Sequence, residues 1–127
     1  GFAKTQAAYE EAVAKVFAGL DWMEQRLSER RFLTGDRATE ADWRAFPTLI
    51  RFDLVYFSHF KCNIRRVQDY PNLRGYTQGL FQWPGIAETC DLEATKAGYY
   101  TSMPSVNPSG IVPAGPDMSW LNEAPGR

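Results

Sequence analysis

Residues 39–57 read TEADWRAFPTLIRFDLVYF, and this stretch decides the fold. The Thr39 hydroxyl can accept a hydrogen bond from the backbone N–H three residues on, and the Asp42 carboxylate can reach back to the N–H of Thr39. This pattern is a capping box with Asp in the usual Glu or Gln place, so it predicts a helix that runs to about Phe57. The segment is apolar on most faces, which indicates a buried central helix that Pro47 bends. Asp42 is expected to act as a cap alone.

A long amphipathic helix precedes this stretch. Its apolar residues step by four, three, four, three and four positions, which is the period of one helix face. The face is formed by Tyr9, Val13, Val16, Leu20, Met23 and Leu27. Residues 31–36, RFLTGD, then predict a stop, a buried aromatic and aliphatic pair, and a glycine turn. The long helix therefore offers one apolar ridge to a partner.

Three further helices are expected after the central one. Residues 70–73, YPNL, place Pro71 near the first position of a helix, where its missing N–H does no harm. Residues 86–90 predict the start of another helix, and residues 92–100 have helical composition as well. No alternating strand pattern and no internal repeat is present, so the sequence predicts an all-α helical bundle.

The end of the chain has a different composition. From Met103 onward, repeated Pro and Gly residues exclude regular secondary structure. We therefore expect a helical domain over residues 1–102 and an extended tail over residues 103–127. The tail is expected to be frayed after about Pro116, because Pro- and Gly-rich termini are commonly loose.

Composition excludes several classes of function. The formal net charge is −1, and no large basic cluster is present, so neither a nucleic acid nor a membrane is expected as a partner. No apolar run is long enough to cross a bilayer, and the first nine residues lack the apolar core of a signal peptide. We expect a cytoplasmic location, with an organellar address upstream of Gly1 left open.

The residue types of common catalytic and metal sites are sparse. Cys62 and Cys90 lie far apart, without CxxC or Cys/His spacing, so no metal site is expected. His59 is the single histidine, and a lone histidine beside aromatic residues is more often a satisfied structural residue than an acid or base. Arg51 and Asp53 lie inside the apolar helix, where they need either an ion pair or a hydrogen bond to a loop.

Several segments, in this order, resemble the C-terminal domain of cytosolic glutathione transferases: a long first helix, an FLTG turn, the capped TEAD helix, and a YPNL helix followed by PGI. Others resemble the Xi class, the glutathionyl-hydroquinone reductases. These are GFA at 1–3, RFD at 51–53, VY at 55–56, HFKCN at 59–63, PGIAET at 84–89, YY at 99–100 and NPSGIVP at 107–113. The resemblance implies a glutathione-transferase C-terminal-type bundle, with the Pro/Gly-rich tail wrapped over it in an ordered way as far as about Pro116.

The resemblance also implies an activity. Enzymes of that class remove glutathione from glutathionylated hydroquinones, with glutathione as co-substrate and no metal. A cysteine thiolate in a thioredoxin-like N-terminal domain attacks the glutathione sulfur, and a second glutathione resolves the mixed disulfide. That cysteine belongs to a Cys-Pro motif, which this chain lacks. No catalytic residue is therefore expected here, and the expected partners are the missing thioredoxin-like domain and a second copy in a homodimer.

Three residues are expected to contact the substrate. Tyr56 and Tyr99 match family tyrosines that line the aromatic substrate pocket, although residue type alone favours a core role for both. His59 is expected to border the same pocket. A further family tyrosine would lie just upstream of Gly1. Because the family nucleophile lies elsewhere, we interpret Cys62 as a small buried apolar group.

Two other functions stay open at this point. The chain can be the helical domain of a conventional glutathione transferase, which conjugates electrophiles, or a non-catalytic helical module that mediates assembly. A tyrosine-lined pocket favours an enzyme, because an assembly module has no need of one. A Cys-Pro pair at the start of the first helix of the thioredoxin-like domain would favour the reductase.

Overall fold

The chain folds into helices joined by loops, and the computed structural model describes all 127 residues. The helices are α1 (Gln6–Glu29), α2 (Glu40–Arg51), a π-helical segment (Phe52–Tyr56), α3 (Phe57–His59), α4 (Pro71–Phe81) and α5 (Leu92–Ser102), with 3-10 turns at Val67–Asp69, Ala87–Thr89 and Ser119–Asn122. The only extended pairing is an isolated bridge between Phe32 and Gly35. The all-α prediction is confirmed, whereas the helix expected at residues 86–90 is a single turn. None of the helices combines the length and apolar character that a membrane span requires.

Helix α4, rather than α2, lies at the centre of the bundle. It packs against α1, α2 and the 3-10 turn of the tail, and seven of its eleven residues are buried. Helix α2 is buried on one face only, through Asp42, Phe46, Leu49 and Ile50. The expectation of α2 as the buried central helix is therefore right only for the π segment that continues it, where four of five residues are buried. Polar residues in α4 concealed its central position in the sequence.

Helix α1 presents a slightly different face from the one predicted. Its buried residues are Val13, Phe17, Leu20 and Leu27. Phe17 occupies the place expected for Val16, whose side chain is 38% exposed. Glu24 continues this face and accepts hydrogen bonds from the backbone N–H groups of Asn72 at 2.8 Å and Leu73 at 2.7 Å. Because these N–H groups belong to the first turn of α4, Glu24 caps α4 from the neighbouring helix.

Asp42 does more than cap its own helix. Its carboxylate accepts from the Thr39 N–H at 2.8 Å, which is the reach-back half of the capping box. It also accepts from the Leu33 N–H at 2.9 Å and from the Tyr76 hydroxyl at 2.7 Å. The side chain is completely buried. The expectation that Asp42 acts as a cap alone is wrong, because this carboxylate joins the loop before α2, the start of α2 and the middle of α4.

The Thr39 hydroxyl takes part in the predicted capping box. Both halves of the box are present, with the Thr39 side chain facing the Asp42 N–H and the Asp42 carboxylate accepting from the Thr39 N–H. The hydroxyl also lies 3.3 Å from the Asp42 carboxylate and 3.1 Å from the Thr34 hydroxyl. Asp42 makes more of the hydrogen bonds at this helix start, because its carboxylate also accepts from Leu33 and Tyr76.

The π segment interrupts the regular helix where α2 ends. The Phe57 N–H donates to the carbonyl of Phe52, five residues earlier, which is the wide turn of a π-helix. Asp53 points away from this turn and accepts from the N–H groups of Val67 at 2.7 Å and Gln68 at 3.1 Å. Of the two environments expected for Asp53, the hydrogen bond to a loop is the one present. Burial raises the pKa of this carboxyl above its ordinary value and outweighs the two hydrogen bonds.

The end of the tail lies against the helical bundle. Trp120 and Leu121 are buried, and the Gln82 amide donates to the Leu121 carbonyl at 2.7 Å. The guanidinium of Arg127 donates to the carbonyl of Leu27 at 2.9 Å, at the end of α1. Two large apolar residues fill a space beside α4, where the side chains of Gln78 and Gln82 donate to their carbonyls. Fraying after about Pro116 stays a prediction from the Pro and Gly content, and the Trp120 variant tests it.

Replacing Asp42 by Asn should cost more stability than replacing Thr39 by Ala. Asp42→Asn weakens hydrogen bonds to a buried charge, so we expect a loss of about 2–3 kcal/mol in the free energy of unfolding at pH 7. Thr39→Ala should cost about 1 kcal/mol or less, as the loss of a partial cap does. Urea denaturation followed by circular dichroism measures both changes. Equal midpoints for the two variants would contradict the central role of Asp42.

The effect of Asp42→Asn should also depend on pH. Burial by itself raises the pKa of Asp42, but the hydrogen bonds from Leu33, Tyr76 and Thr39 outweigh it and hold the pKa below its ordinary value. The stability that this carboxylate contributes is therefore complete above the unfolded-state pKa of about 3.9 and is lost as the pH falls through the lower folded-state pKa. The difference between wild type and Asp42→Asn should shrink in that acidic range.

Trp120→Ala should destabilise the whole chain by about 3–5 kcal/mol, as the truncation of a buried large aromatic residue does. Ile111→Ala is the matched control in the same tail, because Ile111 is 70% exposed, and it should change stability by less than about 0.5 kcal/mol. Thermal denaturation of both variants measures the effect. A frayed tail would make the two substitutions equally harmless.

Candidate functional site

Tyr56 and Tyr99 meet in the structure, as expected for residues of one pocket. Tyr56 ends the π segment and Tyr99 lies in the last turns of α5. Their hydroxyl oxygens are 3.3 Å apart, and their rings stand edge to face with centroids 5.9 Å apart. Both side chains are partly exposed. The pair therefore presents two phenolic hydroxyls at one accessible point, between helices that are far apart in the sequence.

The electrostatic surroundings of Tyr56 keep its hydroxyl protonated. Partial burial and the neighbouring Tyr99 hydroxyl raise the pKa of Tyr56 to about 12, while Arg51 acts in the opposite direction. A phenol with this pKa remains a hydrogen-bond donor throughout the physiological range. Tyr56 can thus donate to an oxygen of a bound aromatic molecule, but it supplies no anionic nucleophile near neutral pH.

His59 lies behind the tyrosine pair rather than beside it on the surface. It is buried, its Nε2 lies 3.4 Å from the sulfur of Met103, and its ring centroid is 4.4 Å from that of Tyr100. Burial and the charge of Lys61 hold its pKa below the ordinary value. These contacts match the structural role that the sequence favours for a lone histidine. His59 nonetheless stays close to the pair, with its ring centroid 6.4 Å from that of Tyr99.

Phe60 also lines this site, although it was not among the residues predicted from the sequence. Its ring stacks on Tyr56 with centroids 5.4 Å apart and an angle of 25° between the planes. It also stands edge-on to Tyr99 with centroids 6.1 Å apart. The signal for it was present, because Phe60 follows Tyr56 by four residues, the spacing of neighbours on a helix face. Together, Tyr56, Phe60 and Tyr99 form an aromatic corner that can hold a planar ring.

An open cavity of about 350 Å³ adjoins the outer side of Phe60. Its polar lining includes Lys4 and Lys61. Lys61 has a φ of +59°, a left-handed conformation that is uncommon for a residue other than glycine. The Tyr9 hydroxyl donates to the Lys61 carbonyl at 2.6 Å and helps to hold this turn in place. The strained turn therefore fixes the position of Phe60 directly before it.

The two cysteines are separate free thiols in the structure, and both are only partly exposed. Burial raises the pKa of the Cys62 thiol above its ordinary value, and the positive amino terminus at Gly1 offsets this only in part. A raised pKa disfavours the thiolate, which is the nucleophilic form. No group of three or more His, Cys, Asp or Glu side chains lies close enough together to hold a metal ion.

Comparison with known proteins supports the family suggested by the sequence. Residues 6–79 match the family described as "Glutathione S-transferase, C-terminal domain". The chain is 57% identical over 116 residues to the glutathionyl-hydroquinone reductase PcpF of Sphingobium chlorophenolicum, and this match covers 91% of the chain and 37% of PcpF. It is also 49% identical over 129 residues to the glutathionyl-hydroquinone reductase YqjG of Escherichia coli K12, and this match covers 100% of the chain and 38% of YqjG.

Solved structures give the same result. The glutathione-bound structure of YqjG matches with a TM-score of 0.95 at 48% identity, over 98% of this chain and 40% of that one. An Xi-class transferase from Natrialba magadii matches with a TM-score of 0.91 at 46% identity, over 94% of this chain and 38% of that one. The chain thus spans about two fifths of the length of each relative. It belongs to the glutathione S-transferase C-terminal domain family, and the relatives it resembles include glutathionyl-hydroquinone reductases and Xi-class transferases.

Proposed function

We propose that this chain is the substrate-binding helical domain of an enzyme that removes glutathione from glutathionylated hydroquinones. The observation that carries the proposal is the Tyr56–Tyr99 pair, with hydroxyls 3.3 Å apart at an aromatic corner. A hydroquinone is a planar ring with phenolic oxygens, so it fits a corner that offers ring contacts and hydroxyl donors together. Identities of 57% and 49% to two glutathionyl-hydroquinone reductases support the same activity.

The proposed reaction needs a thiolate from a thioredoxin-like domain, because this chain has no Cys-Pro pair and the pKa of Cys62 is raised. The thiolate attacks the glutathione sulfur of the substrate and forms a mixed disulfide. The bond between that sulfur and the ring carbon breaks, and the ring carbon takes up a proton. A second glutathione thiolate then attacks the mixed disulfide, releases the enzyme thiolate and forms oxidised glutathione. The two electrons that reduce the ring carbon come, in net terms, from the two glutathione sulfurs, which end as a disulfide, while the enzyme thiolate is regenerated.

The residues of this chain act on the aromatic part of the substrate. Tyr56 and Tyr99 donate hydrogen bonds to a substrate oxygen as negative charge develops on the departing ring. Phe60 packs against one face of the ring and helps to exclude water. His59 supports the corner from behind through its contacts to Phe60 and Tyr100.

Tyr56→Phe and Tyr99→Phe should each lower turnover without disturbing the fold, because each change removes one hydroxyl and keeps the ring. The test protein is a chimera in which this chain replaces the matching C-terminal part of YqjG. A lost donor to developing charge should reduce kcat/KM for a glutathionylated hydroquinone by about tenfold to several hundredfold. Attack by glutathione on the preformed mixed disulfide should change little, since no hydroquinone is present in that step.

Tyr100→Phe is the matched control, because the Tyr100 hydroxyl pairs with Ser58 at 2.8 Å and not with the tyrosine pair. The 127-residue chain alone should show no turnover above the uncatalysed rate. Unchanged kcat/KM in both pair variants would make these tyrosines core residues. A chimera that conjugates glutathione to electrophiles but does not remove it would instead favour a conventional transferase.

A homodimer is part of the same proposal. Trp22 is 59% exposed and Val16 is 38% exposed on the outer face of α1, and nothing in the chain packs over the position of Gly19 between them. An apolar patch of this kind favours a protein partner. Sedimentation of the chimera should therefore show a dimer, and Trp22→Glu should weaken it. A monomer at high concentration would contradict the homodimer.

A further inference from the structure

Helix α5 carries Tyr99 but buries little of its own surface. Its two buried residues are Lys96 and Tyr100. The Tyr100 hydroxyl pairs with that of Ser58 at 2.8 Å, which ties the end of α5 to α3. Lys96 lies three positions before Tyr99 and four before Tyr100, so it shares one face of the helix with both. The face that presents Tyr99 is therefore held in part by a buried lysine.

The ammonium group of Lys96 contacts the tail. Its Nζ lies 3.3 Å from the carbonyl oxygen of Gly115 and 3.5 Å from that of Ala114. The one carboxylate within ion-pair distance belongs to Glu93, at 3.7 Å, and the Glu93 side chain is exposed. A buried charge needs acceptors to compensate for the water that it has lost. The two tail carbonyls supply such acceptors, so Lys96 ties α5 to the tail.

Asn107 forms a second tie at the end of α5. The carbonyl of Tyr100 cannot accept from the residue four positions on, because Pro104 has no N–H. The side-chain amide of Asn107 donates to this carbonyl at 2.8 Å and to the carbonyl of Ile111 at 3.0 Å. Between them the chain turns at Gly110, which has a φ of +67°. Asn107 therefore fastens the turn, and the arm that returns from it, to the end of α5.

The two ties make residues 103–115 a strap that runs back along α5. Asn107 fastens the strap at the end of the helix, and Lys96 fastens it about one helical turn earlier. We propose that Lys96 and Asn107 are positioning residues for Tyr99. The strap holds α5 so that the Tyr99 hydroxyl stays beside that of Tyr56. Donation by this pair to an oxygen of the departing ring rests on the proposed function, whereas the placement of Tyr99 does not.

The placement can be measured in the 127-residue chain by ¹⁹F NMR of 3-fluorotyrosine at position 99. The Tyr56 ring, 5.9 Å away, shifts this resonance, so the change that Tyr56→Leu produces reports the contact. Lys96→Met keeps the length of the side chain but removes its ammonium, and most of this change should then be lost. Lys96→Arg keeps the donors and should retain it. Lys15→Met is the matched control, because Lys15 is exposed on α1. The full Tyr56-dependent change in Lys96→Met would overturn the proposal.

Asn107→Ala keeps the test decisive if circular dichroism shows that Lys96→Met does not fold. It removes the amide donors at the end of α5 without touching the buried charge. The Tyr56-dependent change of the ¹⁹F resonance should again be reduced. Ile111→Ala is its control, because it retains the carbonyl that Asn107 binds and alters an exposed side chain. The same Tyr56-dependent change in Asn107→Ala and in wild type would overturn the role of the strap.

Kinetics of the YqjG chimera test whether the strap acts through Tyr99. Lys96→Met should lower kcat/KM for a glutathionylated hydroquinone by about tenfold, the lower end of the loss expected when a hydroxyl of the pair is removed. Lys96→Arg should restore most of this loss. In the Tyr99→Phe background, Lys96→Met should cost less than about twofold, because the hydroxyl that it displaces is already absent.

Full activity of Lys96→Met, or equal losses in the two backgrounds, overturns the positioning role, because a general loss of stability would add to the effect of Tyr99→Phe. A chimera without any reductase activity refutes the proposed function. In that case the ¹⁹F measurement on the 127-residue chain still decides whether the strap places Tyr99.

Discussion

The structure depends on one buried charge, the carboxylate of Asp42. Three hydrogen bonds of 2.7–2.9 Å, from Leu33, Thr39 and Tyr76, hold it in a completely buried position. A buried charge without donors would be costly, so these three hydrogen bonds offset its removal from water. Since the donors come from a loop, a helix start and the central helix α4, the carboxylate fixes how α2 leaves the loop. The direction of α2 in turn sets where its last residue, Arg51, and the π segment arrive.

Other carboxylates repeat this arrangement at other helix starts. Glu24 accepts from the first turn of α4, Asp53 from the turn at Val67, and Asp91 from the first turn of α5. Each satisfies N–H groups that a helix start leaves without internal partners, and each complements the positive end of a helix dipole. Asp53 bears on the site because it ties the π segment, which ends at Tyr56, to the turn at Val67.

Features with local causes could be predicted from the sequence, and features with distant causes could not. The start of α2 follows from TEAD, and the start of α4 follows from Pro71, because both signals lie within a few residues. No local pattern reveals that Phe17 rather than Val16 is buried in the core, or that Trp120 packs beside α4. Both depend on surfaces that distant parts of the chain provide. The same holds for the site: Tyr56 and Tyr99 are 43 residues apart, and the family resemblance rather than their spacing suggested that they share a pocket. The π turn left no signal that the period of apolar residues could detect.

The chemistry of the domain follows from how burial acts on its acidic groups. Burial raises the pKa of the Cys62 thiol and of the Tyr56 phenol alike, which disfavours a thiolate but preserves a phenol as a donor. A nucleophile would need the opposite environment, with exposure and uncompensated positive charge close to the sulfur. A phenol that stays protonated can donate to a bound molecule, and in the proposed reaction the thiolate would come from another domain.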